Sequence, residues 1–211
     1  MGYYPISLQM AGRPCLVVGG GAVAERKVEG LLSVGASVTV VSPRLTERLA
    51  AWAEAGTVGH VARAYRPDDL AGYAIAFVAT DDGAANARVF RDARARGVLV
   101  NAADDPAHCD FILPSVLRRG ELTVAVATGG ASPALSRAIR EELESYFTDD
   151  YAALAHIVAE VRHDLRRGAP LPDAAAWRAA LDTDLRRLVA EGKCDEARAR
   201  LLARLEAGRW G

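Results

Sequence analysis

An apolar run, Cys15-Leu16-Val17-Val18, breaks into Gly19-Gly20-Gly21 and passes straight into the helix-forming stretch that begins at Ala22. That succession predicts a strand, a tight turn and a helix N-terminus, the opening of a βαβ unit. Gly19 is placed to turn the chain as the strand ends, Gly21 to let backbone approach an anion with no Cβ in the way, and Ala24 to let helix pack closely on strand. The unpaired N–H groups of the following helix then face the anion. A plain glycine-rich turn gives the same local pattern, so the context decides. Here Glu25 to Leu32 has helical spacing, Gly35 closes the helix, and Val38-Thr39-Val40-Val41 supplies a β-branched second strand. The unit reads as a dinucleotide-binding one.

At the end of that second strand the acidic residue that usually accepts the ribose hydroxyls is replaced by Val41-Ser42-Pro43-Arg44. Ser42 suits a ribose hydroxyl, and Arg44 suits either a 2′-phosphate or the start of the next helix. These residues leave NAD and NADP both open.

Strands and helices continue to alternate. Leu45 to Ala55 reads as helix, Val58 to Val61 as a short strand, Tyr73 to Ala79 as a stronger one, Ala84 to Arg96 as a helix stopped at Gly97, and Val98 to Asn101 as the next strand. Repeated units of this kind predict a Rossmann-like, doubly wound parallel sheet, with ligands held beyond the strands' carboxyl ends. Those ends are Gly19 to Ala22, Thr80 to Gly83 and Asn101 to Asp105.

After Phe111 the pattern changes. Phe111 to Leu117 and Leu122 to Ala127 are expected to pair as strands across a charged turn, Arg118 to Glu121. Thr128-Gly129-Gly130-Ala131-Ser132-Pro133 then reads as a glycine loop with Ser132 as N-cap and Pro133 in the first helical turn. It is a second potential anion site, or simply a well-capped helix. The remaining residues, rich in Ala, Leu and Arg, predict amphipathic helices. Three segments are expected: a dinucleotide-binding domain at 1–112, a small α+β dimerisation and active-site segment at 113–147, and a helical region at 148–211.

With 211 residues the chain can bury a sizeable core, and its net charge of -1 gives no reason to expect nucleic acid or a membrane surface as partner. No secretory leader and no apolar run long enough to cross a bilayer are legible, which predicts a cytoplasmic protein. Cys15, Cys109 and Cys194 are too far apart for a disulfide framework or a zinc pattern and are expected as free thiols. His156 and His163 share a helical face, but no third ligand accompanies them, and no metal site is expected. As an acid/base group Asp104 is best placed, at the sheet's carboxyl edge, although Asp104 or Asp105 equally suits a cap for the turn before Pro106.

Several motifs occur together in a fixed order. They are Tyr4-Pro5-Ile6, the run from Gly12 to Lys27, Ala79-Thr80-Asp81-Asp82, Val100 to Pro106, Phe111 to Ser115, and Thr128 to Pro133. In this the chain resembles precorrin-2 dehydrogenases and the dehydrogenase/ferrochelatase portion of siroheme synthases, over roughly residues 1 to 145. The resemblance implies NAD-dependent oxidation of precorrin-2 to sirohydrochlorin, with ferrous iron as a further substrate in relatives that also make siroheme. It implies Asp104 as the catalytic residue, cofactor contacts at Ala22, Val23, Pro43 and Arg44, and a homodimer built largely through Phe111 to Glu144. Only about 65 residues follow the matched portion, so uroporphyrinogen methylation, the task of a further domain in larger siroheme synthases, is not expected of them.

The chemistry of the residues agrees. Loss of a hydride from a reduced tetrapyrrole leaves a cation that must shed a proton, and an ionised Asp104 favours the first and accepts the second. Gly19, Gly21, Ser42 and Thr80 complete the expected cofactor set. For the substrate's carboxylates, Arg118, Arg119, Arg137, Thr128, Gly129 and Ser132 offer charge and hydrogen-bond donors. Two rival readings stay open at this level: a nucleotide-sensing regulatory module, which would lose nothing catalytic with Asp104, and a dedicated sirohydrochlorin chelatase, which has no need of the glycine turn.

Overall fold

The computed structural model describes residues 2–103, 105–167 and 171–207, which fall into two compact units meeting at Leu113 and Pro114. In the first unit β1 (Pro14–Val18), β2 (Ser37–Val41), β3 (Gly59–Val61), β4 (Ile75–Val78) and β5 (Leu99–Ala102) form one parallel sheet in the order β3-β2-β1-β4-β5. Helices α1 (Ala22–Leu32), α2 (Glu47–Glu54) and α3 (Gly83–Arg96) lie between strands.

Alternation along the strands assigns the two faces. Val17, Val40 and Phe77 share a core with Ala24, Val28 and Leu31 of α1 and Leu49 of α2. Their neighbours Leu16, Val18, Val41, Ala76 and Val78 share another with Val89 and Ala93 of α3. Successive residues point to opposite faces of a strand, so α1 and α2 cover one side and α3 the other. The order reverses at β1, and a crevice opens between the carboxyl ends of β1 and β4. This is the expected doubly wound sheet.

In the second unit β6 (Ser115–Arg119) and β7 (Leu122–Val126) pair antiparallel, with Arg119 opposite Leu122. The connection is therefore only Gly120-Glu121. Arg118 and Arg119, expected in the turn, lie in the strand itself, and Phe111 to Pro114 precedes it. Gly120 has φ +55°, and a Cβ there would sit 3.1 Å from the Ala152 side chain, so a two-residue turn suffices and the strand runs on through both arginines.

The helices α4 (Pro133–Tyr146), α5 (Asp150–Arg166), α6 (Ala174–Ala180), α7 (Thr183–Ala190) and α8 (Cys194–Ala207) follow. The last four build a separate core around Val161, Leu185, Leu201 and Leu205. Side-chain caps begin the short helices α6 and α7: Asp173 accepts from Ala176 N–H, and Asp182 from Leu185 N–H. Among the described residues no helix is long and apolar enough to cross a membrane.

Candidate active site

The glycine turn is held from three sides. Gly19 N–H donates to the Val41 carbonyl at 3.0 Å, Ala79 N–H to Val18 at 2.8 Å, and Thr46 N–H to Gly20 at 2.9 Å. Gly19 adopts φ +117°, and a Cβ there would lie 2.2 Å from the Ala79 carbonyl oxygen. At Gly20, which sequence reasoning passed over, a Cβ would meet the Arg44 carbonyl oxygen at 2.1 Å. Both positions therefore require glycine on steric grounds. Gly21 has nothing within 4 Å of its would-be Cβ, so its open side is available to a ligand. Ala24, one turn on, is wholly buried against the sheet.

Residues 19–23, 41–46 and 79–82, with Ala64, Tyr65 and Ala85, line a cleft of about 770 Å³. Expected cofactor residues Gly19, Gly21, Ala22, Val23, Ser42, Pro43, Arg44 and Thr80 all reach this lining. Gly21 is the N-cap of α1 and offers no side-chain cap, so the helix's first N–H groups keep the unpaired donors that a pyrophosphate takes up. By contrast α3 and α4 spend theirs internally. Asp82 accepts from Ala84 and Ala85 N–H at 2.9 and 3.1 Å, and Ser132 accepts from Leu135 N–H at 3.1 Å. Cleft, open glycine and uncapped helix together fit a dinucleotide.

Two of the expected contacts are already engaged within the protein. Ser42 is buried; its hydroxyl donates to the Arg44 carbonyl at 2.6 Å and faces the Arg44 N–H at 3.4 Å, clasping the loop. The Thr80 hydroxyl donates to Asn86 Oδ1 at 2.6 Å and accepts from Asp82 N–H at 3.2 Å. His60 Nε2 lies 2.9 Å from the Ser42 carbonyl, which can only accept, so that nitrogen carries the proton. Tyr65, unforeseen from sequence, borders the cleft and donates to Asp92 at 3.1 Å; burial first, and then that carboxylate, push its phenol above its ordinary range.

At the end of β5 the packing is polar and specific. Lys27 Nζ donates to Asn101 Oδ1 at 2.8 Å and sits 5.5 Å from the Phe77 ring centre. Asn101 is buried, and its amide also donates to the Phe111 carbonyl at 2.9 Å. Asp110 caps the strand's outer edge, accepting from Val100 N–H at 3.0 Å. Cys109 Sγ lies 3.2 Å from both Ala102 N and Ala102 O, and burial raises its thiol pKa. Lys27 had a sequence signal that went unused: of 26 basic residues only Lys27 and Lys193 are lysines. Asp104 itself lies outside the described residues. Asp105, beside it, begins the turn Pro106–His108 without a side-chain cap, because its carboxylate turns to His108 Nδ1 at 2.6 Å.

In the second unit the Thr128 hydroxyl donates to the Ser132 carbonyl and accepts from Ser132 N–H, each at 3.0 Å. Gly129 turns the loop at φ +62°. Of the arginines expected to meet substrate, Arg119 Nε lies 3.1 Å from the Asp149 carboxylate, Arg118 stands opposite Thr123 on the ribbon, and Arg137 is exposed on α4. Among the described residues no three His, Cys, Asp or Glu gather in metal-holding geometry.

Fold and cleft define a dinucleotide-binding α/β protein. A family model described as "Putative NAD(P)-binding" matches residues 6–115, and one described as sirohaem biosynthesis protein central matches residues 119–146. The chain belongs to this NAD(P)-binding family, with the sirohaem biosynthesis segment following directly. A siroheme synthase from Nitrosococcus oceani is 39% identical over 210 residues, 99% of this chain and 45% of that protein. One from Chromobacterium violaceum is 41% identical over 210 residues, again 99% and 45%. The chain thus spans about half the length of the curated relatives it matches. A solved structure titled SirC, precorrin-2 dehydrogenase superposes with a TM-score of 0.77 at 28% identity, covering 97% of this chain and 100% of that one.

Proposed function

We propose that this chain oxidises precorrin-2 to sirohydrochlorin with NAD. The observation that carries the reading is the pairing of the uncapped, glycine-walled cleft with a fold that follows a precorrin-2 dehydrogenase from end to end. When bound, the nicotinamide supplies the hydride acceptor. The uncapped N–H groups of α1 would hold the pyrophosphate, with the Ser42-clasped loop available to the rest of the dinucleotide. Asp104, on the segment leaving β5, is the base we assign. Oxidation removes two hydrogens from the macrocycle: one leaves as hydride, and the carboxylate takes the other as a proton. Lys27, Asn101 and Asp110 brace β5, whose last residue, Ala102, stands two positions before Asp104 in the sequence. The Thr128 loop and Arg118, Arg119 and Arg137 are assigned to the substrate's acetates and propionates.

We assign the work to a cytoplasmic homodimer. Val116, Leu135 and Tyr146 of the second unit remain exposed, apolar surface of the kind a second copy covers.

Purified protein supplied with precorrin-2 and NAD is expected to give NADH and the sirohydrochlorin spectrum. Asp104→Asn is expected to lower turnover about 100-fold or more with NAD affinity within about twofold. Folded protein that binds NAD but turns nothing over would leave the regulatory reading in its place. Ferrous iron added to sirohydrochlorin, against a protein-free control, tests whether the chain also inserts metal.

A further inference from the structure

Two carboxylates stand side by side after β5, Asp104 and Asp105, and the chain is fastened on both sides of the first. Before it, Ala103 N–H donates to the Val78 carbonyl of β4 at 2.8 Å. After it, the Asp105 carboxylate lies 2.6 Å from His108 Nδ1; a carboxylate only accepts, so that nitrogen carries the proton. The His108 N–H returns to the Asp105 carbonyl at 3.1 Å, and its ring stands edge-on to Phe90 of α3 with centres 5.0 Å apart.

Cys109 closes the turn. Its sulfur lies 3.2 Å from both Ala102 N and Ala102 O and 3.4 Å from the Asp105 carbonyl oxygen. One atom therefore touches the backbone on either side of Ala103 and Asp104. Burial pushes the thiol up, so at neutral pH it keeps the proton it donates. Asp110 then brings the chain back to the edge of the sheet, donating its N–H to the Val100 carbonyl at 2.8 Å and accepting from Val100 N–H at 3.0 Å. β5 is an edge strand, and the Cys109 and Asp110 side chains answer backbone groups that a neighbouring strand would otherwise meet.

We propose that Asp105, His108 and Cys109 are positioning residues for Asp104, holding the chain on both sides of it to one path, and that Asp105 serves by gripping His108 while the proton goes to Asp104. The inference rests on the assignment of Asp104 as the base. A carboxylate that takes a proton as the hydride departs acts from one place only, and a misplacement of about 1 Å costs up to about 100-fold in rate.

Steady-state oxidation of precorrin-2 by the full chain tests it, together with NAD titration, urea unfolding and residue-resolved amide exchange. Asp105→Ala, His108→Ala and Cys109→Ala are each expected to lower kcat about tenfold, with KM for precorrin-2 and NAD affinity within about threefold. Asp105→Asn, His108→Asn and Cys109→Ser keep a hydrogen-bonding atom at the same place and are expected to recover kcat to within about threefold of wild type. Asp105→Glu, which keeps the charge and moves it by one methylene, is expected to lose as much as Asp105→Ala and replaces any alanine variant that does not fold. Exchange of the Ala102 amide is expected to quicken about tenfold in Cys109→Ala and not in Cys109→Ser. Full kcat in the alanine variants overturns the inference, as does an Ala102 amide no faster in Cys109→Ala. So does a loss in His108→Asn equal to that in His108→Ala, which would give the imidazole a proton to carry. If the wild type binds NAD and oxidises nothing, the assignment of Asp104 falls and the positioning role with it, while the exchange data still show whether Cys109 holds the strand end.

Discussion

Strands β1 and β4 of the first unit are buried almost residue by residue, whereas in the β6–β7 ribbon of the second only Leu117 among ten strand residues is buried. A parallel sheet covered by helices on both faces must be apolar throughout, and its crossovers bring every strand end to one edge. A two-stranded ribbon has no second face to bury and is marginal by itself, so it depends on the helices around it. The contrast explains why the cleft belongs to the first unit. Its loops converge through topology and are fixed by backbone contacts, while the Thr128 loop is shaped by its own hydroxyl and glycines.

The strongest way to break this comparison is at the glycine turn. Gly19→Ala drives a methyl into a backbone carbonyl, and the neighbouring chain cannot yield cheaply; a loss of about 4 kcal/mol or failure to fold is expected. Gly21→Ala, which meets nothing, is expected to keep its stability within about 1 kcal/mol and to lose dinucleotide affinity instead. Urea unfolding and calorimetry on the pair separate the two outcomes. Equal destabilisation would show that the open side of Gly21 is not ligand space.

Next comes the helical core. Leu201→Ala removes a fully buried side chain and is expected to cost about 3 kcal/mol, with NAD affinity changed less than twofold, or about 0.4 kcal/mol. A parallel loss of NAD affinity would mean that the units are coupled more tightly than their separate cores suggest. Ser132→Ala removes the α4 cap and is expected to cost about 1 kcal/mol in thermal unfolding. Little change would mark the loop as held by Thr128 alone.

The smallest effect is electrostatic. Arg63 grips both oxygens of Asp69 and holds its carboxyl below the usual range; burial opposes this, and the Arg66 N–H assists it. Because the folded pKa lies below the unfolded one, the pair's contribution is fully present above the unfolded value of about 4 and is lost as pH falls through the folded value. Wild type and Asp69→Asn should therefore converge in stability as acid is added and separate again near neutrality. A difference that stays constant with pH would assign the effect to packing rather than charge.

Much of the first unit was legible because periodicity survives burial. β-branched runs, helical spacing and glycine stops placed all five strands and three helices. The hairpin turn was misplaced because Arg118 and Arg119 look like turn residues by charge, and the two-residue connection depends on Gly120 fitting beside Ala152. At the cleft, residue types identified the lining, but not that the Ser42 and Thr80 hydroxyls are engaged internally.

Sequence by itself determined the order of elements, the glycine turn and the missing acid at the end of β2, since each is a local consequence of side-chain shape or charge. Tertiary structure alone decided that Gly20 is walled by Arg44, that Lys27 reaches Asn101 across 74 positions, and that α1 keeps its N-terminal donors open. Those facts arise from contacts between residues far apart in the chain, whose geometry is set only once the sheet has brought the strand ends together.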